Sequence, residues 1–181
     1  MPLRKTIGAC ILLLLSISFL IVLIVVPFPV KKQIRFDLPV PDTTTHVVLF
    51  AGFPGCRTIC PTALDTLAAA YEGMAASPAR LRVLFVDLEG LVPPEAVRTY
   101  ATHFHPAFLA WQPTAQERSR LVQALSIYYA PALPDYRKAV QHSGTLYLLI
   151  KEQDRWYLRH HRFGSWSAAD VRALFNYLPS S

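Results

Sequence analysis

The sequence predicts an α/β protein: a mixed sheet covered by helices on both faces, preceded by one N-terminal transmembrane helix. Three observations carry the prediction. From His46 onward, apolar runs of strand length alternate with amphipathic helical patterns, the order expected of a mainly parallel sheet. Near the end, two apolar runs flank a short polar turn, which reads as a hairpin before a last helix. At the start, residues 6–30 carry no charge and include Ile11-Leu12-Leu13-Leu14-Leu15 and Phe19-Leu20-Ile21-Val22-Leu23-Ile24-Val25-Val26. About 20 apolar residues cross a bilayer as a helix.

Taken in order, residues 1–30 are expected to form an uncleaved membrane anchor. The bulky Val26-Pro27-Phe28-Pro29-Val30 that follows the apolar run offers no small-residue cleavage site. Arg4 and Lys5 oppose Lys31, Lys32 and Arg35 across the span, so charge alone sets no orientation. Residues 31–45, with Pro39, Pro41 and Asp42-Thr43-Thr44-Thr45, read as an extended linker. Residues 46–181 form the globular domain. Its first strand is His46-Val47-Val48-Leu49-Phe50-Ala51. A helix after Cys60 places Leu64, Leu67, Ala68 and Tyr71 on one face, and residues 81–87 are a second buried strand. Pro93-Pro94-Glu95 opens a helix with Val97, Tyr100, Ala101 and Phe104 at helical spacing, and Pro106 stops it. A short strand at 107–111 precedes Thr114-Ala115-Gln116-Glu117, a capping box that starts a helix bearing Leu121, Val122 and Leu125. A loop rich in tyrosine and proline covers 128–141. The hairpin follows at 144–150 and 156–160, and Ser167-Ala168-Ala169-Asp170 caps the last helix.

The chemistry concentrates at Phe53-Pro54-Gly55-Cys56-Arg57-Thr58-Ile59-Cys60-Pro61, between the first strand and its helix. Cysteines four residues apart at a helix start become neighbours. The helix dipole and the unpaired N–H groups of its first turn favour thiolate there. Two close soft sulfurs hold Cu(I) or close into a disulfide. A cysteine pair at the first strand–helix junction, with a late hairpin and a final helix, is the thioredoxin-like arrangement. Functional groups in such sheets gather at the carboxyl ends of the strands, which brings in Asp87 at the end of the second strand. His142, just before the hairpin, is the candidate third ligand. Two thiolates with one imidazole suit trigonal Cu(I), and added oxygen suits tetragonal Cu(II).

Composition narrows the alternatives. The chain of 181 residues has a formal charge of +6, and without Arg4 and Lys5 the excess is mild and scattered. It leaves no nucleic-acid footprint. Three cysteines, two of them in one motif, argue against a disulfide scaffold and for metal or redox chemistry. His103 and His105, at a helix end without sulfur nearby, read as solvated, as do Arg118, Arg120 and Arg172. No glycine-rich phosphate loop, Ser/His/Asp order or carboxylate pair appears.

The segment from Phe50 to Pro61 resembles the copper-binding loop of the Sco/SenC family. Phe85-Val86-Asp87, the stretch 100–108, Tyr128-Tyr129 and His142-Ser143-Gly144-Thr145-Leu146-Tyr147-Leu148 resemble that family's other motifs. The resemblance implies a membrane-anchored, thioredoxin-like copper metallochaperone that helps assemble the copper site of cytochrome c oxidase. It implies Cys56, Cys60 and His142 as copper ligands and Asp87 as a supporting polar group. The partner would be the copper-bearing oxidase subunit or another copper carrier. The domain would sit on the periplasmic or intermembrane-space side of an inner membrane. This chain departs from the family in Leu88-Glu89-Gly90 after the aspartate and in Gln141 before the histidine. Two other readings use the same residues. One is a membrane-anchored thiol–disulfide oxidoreductase working through Cys56 and Cys60. The other is a redox or copper sensor.

Overall fold

A computed structural model describes residues 16, 18, 31–57, 59–73, 80–130, 141–142, 144–162 and 164–176; for 129–130, 141–142, 160–162 and 176 it describes the backbone alone. The anchor expected at 1–30 lies outside these residues except for two positions. No helix among the described residues is long and apolar enough to cross a membrane.

The strands are β1 (Lys32–Ile34), β2 (His46–Gly52), β3 (Leu81–Asp87), β4 (Leu109–Trp111), β5 (Tyr129–Ala130), β6 (Gln141–His142), β7 (Leu146–Glu152) and β8 (Arg155–Arg162). The helices are α1 (Ile59–Glu72), α2 (Pro94–Phe104), α3 (Ala115–Leu125) and α4 (Ala168–Asn176). Six strands form one sheet in the order β1-β8-β7-β2-β3-β4, and β5 and β6 pair separately. The pairs β2–β3 and β3–β4 are parallel, whereas β2–β7, β7–β8 and β1–β8 are antiparallel. The sheet is therefore mixed, as expected.

Alternation along the central strands divides the core in two. Val48 and Phe50 of β2 face α1, α2 and α4, together with Leu64, Leu67, Val97, Ala101, Val171 and Phe175. Val47, Leu49 and Ala51 face α3 through Leu121 and Leu125, with Tyr147, Leu149 and Trp156 beside them. A sheet buried on both sides explains why β2 and β3 read as continuous apolar runs rather than alternating ones. Each large side chain sealed in this way contributes roughly 1.5–3 kcal/mol of hydrophobic stabilisation.

The caps match the sequence reading. Thr114 accepts from the Glu117 N–H, and the Glu117 carboxylate accepts from the Thr114 N–H at 2.8 Å. Ser167 and Asp170 make the equivalent exchange at α4, at 2.9 and 3.2 Å. The stretch 31–45 does more than link. It supplies edge strand β1 and buries Ile34, Leu38 and Thr44 against the domain. Lys31 reaches Glu152 at 3.0 Å. The loop expected over 128–141 also contains pairing: Tyr129 lies opposite His142, and Ala130 opposite Gln141.

Candidate metal centre

Strand β2 ends at Gly52, and the turn 53–57 carries the chain to α1. The turn is fixed by a Cys56 N–H to Phe53 carbonyl bond of 3.1 Å. Helix α1 then starts at Ile59. Pro61 falls in its first turn, where a missing N–H costs no intrahelical bond. This places Cys60 on the buried face of α1, with no exposed surface, and leaves Cys56 partly exposed on the turn. The Cys60 N–H donates to Cys56 Sγ at 3.4 Å. Neither sulfur is in a disulfide.

Gly52 is required by this arrangement. A Cβ at that position would lie 2.6 Å from Cys60 Sγ and 3.2 Å from Phe85 Cε2. The buried sulfur thus rests directly on the backbone of the central strand.

The electrostatics differ from the sequence expectation at Cys60. Burial pushes its thiol far above the ordinary value, and Cys56 adds to the rise. The backbone N–H groups of Phe53 and of Cys60 itself oppose it without overcoming it. Desolvation outweighs the helix start here. The Cys60 N–H is also the one aimed at Cys56 Sγ.

Asp87 closes β3 opposite Gly52 in the sheet register and is fully buried. Its carboxylate accepts from the Glu89 N–H at 3.0 Å, the Gly90 N–H at 3.1 Å and Gln112 Nε2 at 3.0 Å. Gln112 also donates to the Val92 carbonyl at 2.6 Å. Asp87 therefore organises the turn beside the cysteines through Glu89, Gly90 and Gln112. Gly90 adopts the left-handed conformation, at φ +69°, that this turn needs. Arg118, expected to be solvated, donates to the Glu89 carbonyl at 3.0 Å and ties α3 to the same turn.

His142 lies on β6, two positions before Gly144, where the chain enters β7. Its side chain lies outside the described residues. Among the described residues, no group of three or more histidine, cysteine or acidic side chains converges on one point. His105 is not part of the centre: its Nδ1 accepts from the Ala107 N–H at 3.1 Å, and its ring packs against Tyr71 at 4.9 Å.

Tyr100, read from the sequence as part of the apolar face of its helix and as the start of a family-like stretch, shares the cluster that contains Cys60. Tyr100 packs its ring against Phe85 at 5.4 Å. Burial, and then charge on Cys60 and on Cys56, raise its phenol above the ordinary value. Its position in an apolar helical stripe gives the ring away; the direction of the hydroxyl has no sequence signal.

The donor set present is two soft sulfurs held side by side, one on the turn and one at the start of α1, chemistry that fits a thiophilic ion such as copper. The SCO1/SenC family profile matches residues 43–168. A candidate copper-binding protein of Stutzerimonas stutzeri is 28% identical over 107 residues, covering 56% of this chain and 52% of that protein. The mitochondrial SCO2 homolog of Bos taurus is 30% identical over 112 residues, covering 57% of this chain and 41% of that one. The chain thus spans about half the length of these relatives or less. The solution structure of apo Sco1 from Thermus thermophilus superposes with a TM-score of 0.55 at 26% identity, over 82% of this chain and 87% of that one. The thioredoxin-like architecture expected from the element order is the one these proteins share. From the extent of the profile match and the agreement in fold, the chain belongs to the SCO1/SenC family.

Proposed function

We propose that this protein is a metallochaperone that carries one copper ion as cargo, held by Cys56, Cys60 and His142. The observation that carries the reading is the sulfur pair itself. Cys56 on the turn and Cys60 at the start of α1 lie side by side at the carboxyl end of the central strand, with the Cys60 N–H directed at Cys56 Sγ at 3.4 Å. Backbone hydrogen bonds to sulfur favour the thiolate that binds metal. The copper-binding description of the Stutzerimonas stutzeri relative supports the choice of ion. His142, on the short strand β6, completes a trigonal set suited to Cu(I). Copper supplies the charge that two thiolates neutralise, while the protein supplies a pre-set pair and a buried wall behind it. In this reading residues 1–30 anchor the domain to an inner membrane, with the domain on the periplasmic or intermembrane-space side. The recipient is the copper-bearing subunit of cytochrome c oxidase or another copper carrier.

Copper titration of the full-length chain in detergent tests the centre. Wild type is expected to take up one equivalent and to show a thiolate-to-Cu(II) charge-transfer band. Both Cys56→Ala and His142→Ala are expected to lose that band. An unchanged band and affinity in His142→Ala would remove the three-ligand centre.

A second reading, thiol–disulfide reduction of a partner, is favoured by one observation. Cys56 is partly exposed while Cys60 is buried behind it, the arrangement of an attacking and a resolving thiol. Disulfide turnover that survives His142→Ala would favour this chemistry over copper carriage.

A further inference from the structure

Three large apolar side chains are exposed among the described residues: Ile59 (46%), Leu91 (80%) and Tyr128 (61%). All three adjoin the proposed copper centre. Ile59 immediately precedes Cys60 at the start of α1. Leu91 follows the turn that Asp87 organises, and the Leu88 N–H pins that turn to the Gly52 carbonyl at 2.8 Å. Its neighbour Val92 packs, as Cys56 does, on the core cluster that holds Cys60. Tyr128 adjoins Tyr129, the residue opposite His142. Single apolar side chains scattered over a surface are ordinary, whereas a set gathered around one feature marks an interaction surface.

This surface also has relief. Beside Ile59 lies a groove of about 520 Å³ between α1 and residues 164–166, with Trp166 as one wall. Thr62, Thr66 and Ser165 edge it, and no charged side chain lines it. Trp166 is fixed there by donation from its Nε1 to the Gly144 carbonyl at 2.9 Å. A side chain that fills the groove is therefore apolar, because a charge would lose its water and gain no partner. A cation stands at the approach. Arg57, between the two cysteines in sequence, is exposed and makes no ion pair among the described residues.

We propose that this end of the domain is the docking surface for a protein partner whose own cysteine-bearing loop places a large apolar side chain in the groove beside Ile59 and a carboxylate against Arg57. A protein that exchanges metal with Cys56 has to cover Arg57 and Ile59, so the groove is continuous with the proposed transfer contact. The formal charge of +6 on the chain also draws an acidic partner. The proposal rests on the copper-carrier reading, and docking is tested without metal so that each can fail alone.

The test uses the full-length, metal-free chain in phosphatidylcholine nanodiscs, with empty nanodiscs as background. The probe is a short fluorescein-labelled peptide in which leucine and glutamate flank a serine that stands for the partner's cysteine. Binding is read by fluorescence anisotropy. Ile59→Ser and Leu91→Ser should each weaken binding about tenfold. Leu91 is so exposed that its variant keeps the fold, and its one-to-one copper uptake should match wild type. Lysine in place of the peptide's glutamate should cost about tenfold, and Arg57→Glu should restore that loss. Added salt should weaken the glutamate peptide and spare a glutamine one. Binding no better than to empty nanodiscs would overturn the proposal, as would equal affinities across these variants and peptides. Self-association abolished by Leu91→Ser, without peptide binding, would give the face to a second copy of the chain and overturn it too. Peptide binding by a chain that takes up no copper would keep the docking surface and remove the copper centre. One-to-one copper uptake without peptide binding would do the reverse.

Discussion

Gly52→Ala is the most direct probe of how the fold seats its buried sulfur. The added methyl would stand 2.6 Å from Cys60 Sγ and 3.2 Å from Phe85 Cε2. Carbon and sulfur settle at about 3.5–4.0 Å, so the sulfur must retreat by roughly 1 Å. It has little room to do so, because Cys60 is fully buried in α1 and Phe85 is fully buried behind it. Overpacking of this kind costs about 1–3 kcal/mol. The displacement falls on one of the three proposed ligands, so Cu(I) affinity should fall together with stability. Urea unfolding of the metal-free protein measures the first effect, and Cu(I) competition the second. The cause is isolated by a cycle with Cys60→Ala, which removes the atom being struck. In that background Gly52→Ala should regain much of its lost stability, giving a coupling of ~1 kcal/mol or more. If Gly52→Ala is as stable as wild type, or if the two changes simply add, the sulfur does not rest on the strand backbone as described.

Other expectations follow from the same contacts. Asp87→Ala strands two backbone N–H groups and the Gln112 amide. A loss of about 2–4 kcal/mol in urea unfolding is expected, with Asp87→Asn losing less. Thr114→Ala removes the α3 cap and should cost about 1 kcal/mol, read as a shift of the urea midpoint at constant slope. His46 is held below its ordinary value by burial and by the nearby charge of Arg80. The unfolded chain takes up a proton there that the folded chain resists. Stability from this site is therefore complete above the unfolded histidine value, about 6.5, and declines as pH falls below it. Unfolding midpoints measured at pH 7.5 and 5.5 should differ less in His46→Gln than in wild type.

Local signals in the sequence were enough for most of the framework. Thr114 and Glu117 satisfy each other within one turn, so the start of α3 could be read from four residues. The apolar runs of β2, β3 and β7 announce themselves because both faces of the sheet are covered. What escaped depends on partners distant in sequence. The Lys32–Ile34 strand is short and begins with a charge, and only its pairing with β8 makes it a strand. Tyr129 and His142 pair across a stretch whose prolines argue for loop. Gln112 finds Asp87 across 25 residues, a bond with no spacing rule behind it. At the candidate centre, residue types and spacing pointed to Cys56 and Cys60, which the fold brings together, but the helix start suggested thiolate where burial favours thiol at Cys60. How deeply a sulfur is enclosed is a property of the assembled core.

The short strand β1 also affects how such domains tolerate one another. Without it, the eight residues of β8 would present an unsatisfied rim of amides and carbonyls, a template for a neighbour's strand. Lys32–Ile34 covers part of that rim, and the opposite border is only the three residues of β4. Copies of this domain crowded side by side on a surface would find little backbone to zip together, and would meet through side chains instead.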